Sequence, residues 1–193
     1  LSRSELYASD REVGDVELAR LWALVARRRA REPLAYVLGE WGFRRLVLAV
    51  DGRAPVPRPE TEVVVERCLE HLRELEAPRV LDVGTGSGAI ALAIADEHPG
   101  ARVLAVDHSK GALALARENL ARTSLADRVE LRAGDLLAGV EGPFDLVVSN
   151  PPYVSREEYP ELQPEIRLYE PYEAVVGDHV WERIARAAPD VLP

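Results

Sequence analysis

From residue 79 the sequence alternates short apolar runs with longer amphipathic ones, and that order restricts the fold more than any other feature. RVLDVG (79–84), ARVLAVD (101–107), VELRAGD (129–135) and FDLVVSN (144–150) read as strands. GAIALAIADEHP (88–99) and SKGALALARENLAR (109–122) read as helices between the first three. Strands rich in Val and Leu without a clean apolar–polar alternation are buried on both faces, as happens when crossover helices cover a parallel sheet. The expectation is a doubly wound α/β sheet whose ligands bind outside the carboxyl ends of its strands. In such a sheet the fourth strand lies beside the first. A further helix is expected around Trp181–Ala188.

Ahead of the sheet, residues 15–31 place Leu18, Leu21, Trp22 and Val25 at helical spacing with arginines on the other face, and Pro33 ends the run. Arg27, Arg28, Arg29 and Arg31 read as a solvated helix end suited to the macrodipole, with contact to an acidic partner as the other reading. Residues 34–58 contain short β-prone pieces, LAYVLG and RRLVLAV, and are expected to form a hairpin-like connector with a turn at Asp51-Gly52. A helix then starts at Pro59, a residue suited to a first turn, with Glu60 and Glu62 favouring its N-terminus. The expected organisation is a helical segment (1–32), a β-hairpin connector (33–58) and a sheet domain (59–193).

A chain of 193 residues, 47% hydrophobic and 30% charged, suits one soluble α/β domain with a small appendage. No apolar run approaches the ~20 residues of a membrane helix, and no signal peptide is evident, so a cytoplasmic location without membrane contact is expected. The single cysteine, Cys68, excludes an intramolecular disulfide and any cysteine zinc cluster, and reads as a small apolar helix residue. His71, His98, His108 and His179 show no ligand-like spacing, so no metal is expected.

The chemistry begins at Asp82-Val83-Gly84-Thr85-Gly86-Ser87-Gly88, directly after one strand and directly before a helix. Glycines let the backbone turn sharply and approach a ligand, and the helix N-terminus offers unpaired N–H groups. Asp107 ends the second strand, 19 residues after Gly88, where a carboxylate can accept hydrogen bonds from both ribose hydroxyls of an adenosine. These features fit a nicotinamide dehydrogenase or an S-adenosylmethionine (SAM) methyltransferase. The G-x-G-x-G spacing favours the second.

Asn150-Pro151-Pro152-Tyr153 closes the fourth strand, so Asn150 is expected to face a ligand held by Gly84–Gly88. Two prolines fix φ and remove two backbone donors. The Asn150 amide oxygen and the Pro151 carbonyl then form an acceptor pair for both hydrogens of a planar –NH2 group, and Tyr153 offers a flat face to pack against it.

Asn-Pro-Pro-Tyr after such a glycine loop resembles the methyltransferases that act on planar amino nitrogens. Arg31-Glu-Pro-Leu-Ala-Tyr-Val-Leu-Gly39, Pro57-Arg-Pro-Glu-Thr-Glu62 and Tyr169-Glu-Pro171 narrow the resemblance to the peptide-chain release-factor glutamine methyltransferase family (PrmC/HemK), across most of residues 4–190. The resemblance implies a Rossmann-like SAM methyltransferase sheet, with SAM as methyl donor and S-adenosylhomocysteine as product. It implies that Gly84, Thr85, Gly86, Ser87 and Gly88 line the methionine part of SAM, that Asp107 holds the ribose, and that Asp135 and Leu136 border the adenine. Asn150 and Pro151 would bind the substrate amide, Pro152 and Tyr153 would complete the pocket, and Arg58 and Glu60 would border it. The implied substrate is the glutamine of the Gly-Gly-Gln loop of class-I release factors, and the helical segment would help to recognise that protein. Family members carry more helical sequence before Leu1, continue past Pro193, and have a longer loop after Gly177-Asp178. With the absence of methionine, this gives the expectation that the sequence is an incomplete record of a larger chain.

Charge separates the remaining readings. Residues 79–193 hold 19 of the 33 acidic residues but only 11 of the 24 basic ones, and Lys110 is the sole lysine. An acidic sheet domain is a poor match for duplex DNA, whose binding depends on Lys and Arg contacts to phosphate. A nucleic-acid amino methyltransferase is therefore the weaker rival, and no direct nucleic-acid partner is expected. Intact Gly84–Gly88, Asp107 and Asn150 stand against a catalytically idle SAM-fold binding module.

Overall fold

The computed structural model describes residues 12–193, so the first eleven residues of the expected helical segment lie outside the described residues. Helix α1 (Asp15–Arg29) carries Asp15 and Glu17 in its first turn and Arg27, Arg28 and Arg29 in its last, each sign matching the helix dipole. It buries none of its residues, and Leu18, Leu21 and Trp22 stay exposed.

The β-prone reading of LAYVLG is corrected by the structure: Leu34–Leu38 form a short helix, α2. Gly39 ends it at a φ of 80°, a left-handed C-cap that suits glycine. The Arg27 guanidinium donates to the Tyr36 and Val37 carbonyls at 2.9 and 3.2 Å, filling acceptors at the helix end. Ala35, Tyr36 and Val37 are buried, and the Tyr36 hydroxyl donates to the Ala54 carbonyl at 2.6 Å. These tertiary contacts outweigh the β preference of Tyr and Val.

The hairpin itself is shorter than the expected connector. Strands β1 (Glu40–Phe43) and β2 (Leu46–Ala49) pair antiparallel around Arg44 and Arg45. The chain does turn after Asp51, where the Ala54 N–H donates to the Asp51 carbonyl, and then runs extended to Pro59. Helix α3 (Pro59–Leu72) begins on its proline and buries Thr61, Val65, Cys68 and Leu72 along one stripe. Burial pushes the Cys68 thiol up to about 11, so it stays protonated and packs as a small apolar group.

Strands β3 (Arg79–Val83), β4 (Arg102–Asp107), β5 (Val129–Ala133) and β6 (Leu146–Ser149) form one parallel sheet in the order β5-β4-β3-β6. Helices α4 (Ala89–Glu97) and α5 (Lys110–Ala121) make the crossovers. Successive strand residues point to opposite faces. Val80, Val103 and Ala105 pack with α3 and α4, around the fully buried Leu92 and Ile94. Leu81, Val83, Leu104 and Val106 meet Leu137, Phe144, Ile184 and Val191 on the other face. Both faces are covered, which makes the sheet doubly wound as expected.

Beyond β6 a long excursion contains a 3-10 turn (Tyr159–Glu161) and two short helices, α6 (Pro164–Tyr169) and α7 (Tyr172–Val175). Helix α8 (Val180–Ala187) follows, one residue from the expected limits. Among the described residues no helix is long and apolar enough to cross a membrane.

Candidate active site

The register of the sheet brings the expected site residues to one edge. Val83 of β3 pairs with Ser149 of β6, and β4 ends alongside at Asp107, so the glycine turn, Asp107 and Asn150 leave neighbouring strands at the same end. The Ser149 hydroxyl donates to the Val83 carbonyl at 2.6 Å and fastens the last rungs together.

Gly84 and Gly86 hold φ angles of 73° and 59°, a left-handed turn that L side chains resist. The Gly84 and Thr85 N–H groups donate to the Val106 carbonyl, and the Gly86 N–H donates to Asp107 Oδ2 at 2.8 Å. The Ser109 N–H donates to Asp107 Oδ1 at 2.8 Å. Asp107 therefore braces the turn while a carboxylate, with about four lone-pair sites, retains acceptor capacity for a ligand. Below the turn lies Asp82, fully buried, with Oδ2 accepting from the Thr85 hydroxyl at 2.6 Å. Asn119 braces the turn from α5: its Nδ2 donates to the Ser87 and Ala49 carbonyls, and its Oδ1 accepts from the Ala49 N–H.

A cavity of about 510 Å³ opens at this edge. Its lining includes Gly84, Thr85, Gly86 and Ser87, then Asp107, Asp135 and Leu136, then Asn150, Pro151, Pro152 and Tyr153, with Arg58 at the far side. Leu136 adopts a φ of 53°, and Asp135 Oδ2 accepts from Arg183 at 3.3 Å. Two expected residues stand apart. Gly88 is not in the lining: at a φ of 84° it is the N-cap of α4 and packs close to Ala116. Glu60 is exposed and absent from the lining, because the next residue, Thr61, takes the inward position in the first turn of α3 and lines the cavity.

Three residues missed by sequence reasoning support this edge. Thr61 accepts from Asn150 Nδ2 at 3.2 Å. Glu170, with a side chain only 3% exposed, pairs with Arg58 and lines the cavity. Burial pushes the Glu170 carboxyl upward, against the pull of Arg58 and the Val56 N–H. The third is Asn119, spaced 3, 4 and 7 from Ala116, Leu115 and Ala112 on the buried stripe of α5, while Thr61 and Glu170 lie inside the quoted segments 57–62 and 169–171. Among the described residues no three His, Cys, Asp or Glu side chains gather to hold a metal.

A parallel doubly wound sheet, a left-handed glycine turn facing a strand-end acid and an Asn-Pro-Pro-Tyr turn beside them define the class, a Rossmann-like methyltransferase. The methyltransferase small domain family matches residues 63–164, and the PrmC N-terminal domain family matches residues 1–39. A release factor glutamine methyltransferase of Deinococcus radiodurans is 50% identical over 158 residues, covering 81% of this chain and 55% of that one. One from Chlorobaculum tepidum is 41% identical over 206 residues, covering 100% of this chain and 70% of that one. The chain belongs to the release factor glutamine methyltransferase family. It spans 54–55% of the length of the Deinococcus radiodurans and Fusobacterium nucleatum relatives. Among solved structures, the human METTL16 catalytic domain in complex with the MAT2A 3′UTR hairpin 6 superposes with a TM-score of 0.57 at 13% identity, covering 92% of this chain and 61% of that one. That likeness is one of fold.

Proposed function

We propose that this chain methylates the side-chain amide nitrogen of the glutamine in the Gly-Gly-Gln loop of class-I release factors, with SAM as donor, in the cytoplasm. What supports the reading is that Asn150 and Pro151, the expected acceptor pair, line the same cavity as the glycine turn and Asp107. The cavity fits a nucleoside-sized donor, since small-molecule sites run to roughly 300–1,000 Å³. Asp107 would accept from the ribose hydroxyls, Gly84–Ser87 would follow the amino-acid portion, and Asp135 and Leu136 would flank the base. When bound, SAM supplies a methyl group on a sulfonium already activated for displacement.

An amide nitrogen is a poor nucleophile because its lone pair is delocalised into the carbonyl. Asn150 Oδ1 and the Pro151 carbonyl accept its two hydrogens and aim the nitrogen along the line of transfer. Their partial negative charge stabilises the positive charge that develops on nitrogen. Orientation supplies much of the remaining acceleration. Pro152 and Tyr153 pack against the amide plane, and Arg58, paired with Glu170, closes the substrate end. The methylated nitrogen then releases its extra proton to water, so no general base precedes transfer.

The deciding experiment offers labelled SAM to a Gly-Gly-Gln release-factor domain and, separately, to DNA and RNA. Label is expected in the protein, and label only in nucleic acid would overturn the reading. Asn150→Ala is expected to lower kcat by about 100-fold or more with SAM affinity nearly unchanged. Asp107→Ala should instead weaken SAM binding by roughly 10- to 100-fold in calorimetry, as loss of charged hydrogen bonds implies.

A further inference from the structure

Glu170 is a carboxylate where burial disfavours one. Its side chain is 3% exposed on the wall of the cavity, where it pairs with Arg58 and accepts from the Val56 N–H. Arg58 is constrained from its own side as well. It stands between Pro57 and Pro59 in extended backbone, as the N-cap of α3, and its carbonyl accepts from the Thr61 N–H at 3.0 Å. Thr61 meets Asn150 at 3.2 Å, so the root of the Arg58 side chain is one helical turn from the side chain that touches Asn150. The guanidinium lines the cavity and gives an Nη2 hydrogen to Glu170. Among the described residues its Nε and Nη1 donors have no hydrogen-bond partner.

Two properties of this donor follow. Its direction is set, because a planar fork anchored at one nitrogen has little freedom at the others. Its charge is balanced by Glu170, so a phosphate here would be drawn by one partner of the pair and repelled by the other, whereas a neutral acceptor meets only the free N–H groups. A glutamine between glycines offers neutral acceptors of one kind. Its main chain lies two methylenes behind its amide, and glycine has no side chain to present. We propose that Arg58, held by Glu170, donates to a main-chain carbonyl next to the target glutamine, so that the site reads its substrate as a peptide as well as an amide. The inference rests on the proposed action on a glutamine side chain. Arg58 is then a substrate-binding residue, and Glu170 a positioning residue that acts through it. Without Glu170 the arginine would spread over its many rotamers and regain an unbalanced charge.

The test crosses enzyme variants with altered substrates. Release-factor domains are assembled by chemical ligation with the carbonyl of the second glycine, or that of the glutamine itself, replaced by a thioamide, whose sulfur is a weak acceptor. Full-length wild-type enzyme, Glu170→Gln, and the double variant Arg58→Met with Glu170→Gln are compared by kcat and KM on the unaltered and the two altered domains. The double variant leaves no buried carboxylate without its counter-charge. For the wild type, one of the two thioamides should raise KM by about tenfold, the scale of one charge-assisted hydrogen bond, with kcat within about twofold. Glu170→Gln should shrink that penalty to about threefold, and the double variant should be indifferent to the replacement. SAM affinity should stay within about twofold throughout. If the pair only braces the wall, the variants weaken transfer to every domain alike and keep the thioamide penalty at its wild-type size, which overturns the inference. A wild type indifferent to both thioamides overturns it too, as does a loss of SAM affinity that places Arg58 on the donor. Transfer by the wild type to nucleic acid alone would instead overturn the proposed function itself.

Discussion

Asp82 is fully buried under the glycine turn, with Oδ2 bonded to the Thr85 hydroxyl and Oδ1 without a partner. Burial pushes its carboxyl up to about 7, only partly offset by the Thr85 hydroxyl and the Ala91 N–H, and the nearby Asp107 adds to the rise. An unfolded Asp titrates near ~3.9. Between those values the unfolded chain has released a proton that the folded chain still holds, so this group's stabilisation is complete below about pH 4 and fades as the pH climbs to about 7. Asp82→Asn keeps an oxygen for the Thr85 hydroxyl and cannot ionise. Its melting temperature relative to wild type should therefore rise steadily from pH 5 to pH 7 and level off above, by thermal unfolding across that range; parallel curves would exclude the assignment. At this scale Asp107 and Asn150 were legible because each ends a strand whose pattern is local. Thr61, Glu170 and Asn119 were not, since their partners lie 89, 112 and 70 residues away in sequence.

Elements show the same division between local and distant causes. The parallel strands were readable from their apolar runs, and α3 from its proline and first-turn acids. The β1–β2 turn carried no turn residues. Arg44 adopts a φ of 53° there because its N–H donates to Glu62 at 2.9 Å and its guanidinium grips Glu97 with two bonds of 2.7 Å. Distant acids hold a conformation that arginine does not choose for itself. The Asn-Pro-Pro-Tyr turn is supported in a similar way from across the chain. Val154 bridges Val176, and the Gly177 N–H donates to the Val154 carbonyl at 3.2 Å. A Cβ on Gly177 would lie 2.6 Å from Pro152 Cγ and 2.7 Å from the Pro152 carbonyl oxygen. Gly177→Ala should therefore displace the turn, at a cost of about 1–3 kcal/mol in stability. Because the glycine turn is not involved, transfer to the glutamine substrate should fall while SAM affinity holds. Equal losses in both would place the damage elsewhere.

Across the whole molecule, three stretches of the chain line the cavity, residues 53–61 being one of them. The sheet supplies the glycine turn, Asp107 and Asn150, and the excursion after β6 supplies the facing wall with Leu162, Ile166, Glu170 and Pro171. Helix α1 and the residues just after it hold that wall. Arg28 and Arg31 both reach Glu165, at 2.9 and 2.6 Å, and the Tyr169 hydroxyl donates to the Ala30 carbonyl at 2.7 Å. The arginine cluster, expected to be a solvated helix end, is thus largely engaged within the chain, Arg27 also pairing with Glu32. No local pattern could have revealed this, since Arg28 and Glu165 stand 137 residues apart. Pairs between long, half-exposed side chains are weak and screened by salt, so the clasp contributes little to global stability. Its effect is local, because it holds short helices that bury few side chains of their own. Glu165→Ala should leave the melting temperature nearly unchanged and speed amide hydrogen exchange across Ile166–Glu170, with the β3 and β4 amides unaffected. Raising the salt concentration should reproduce that faster exchange in the wild type and add nothing in the variant. If exchange in the wall is the same with and without Glu165, the clasp does not hold it, and Arg58–Glu170 and the Tyr169 hydroxyl remain among its anchors.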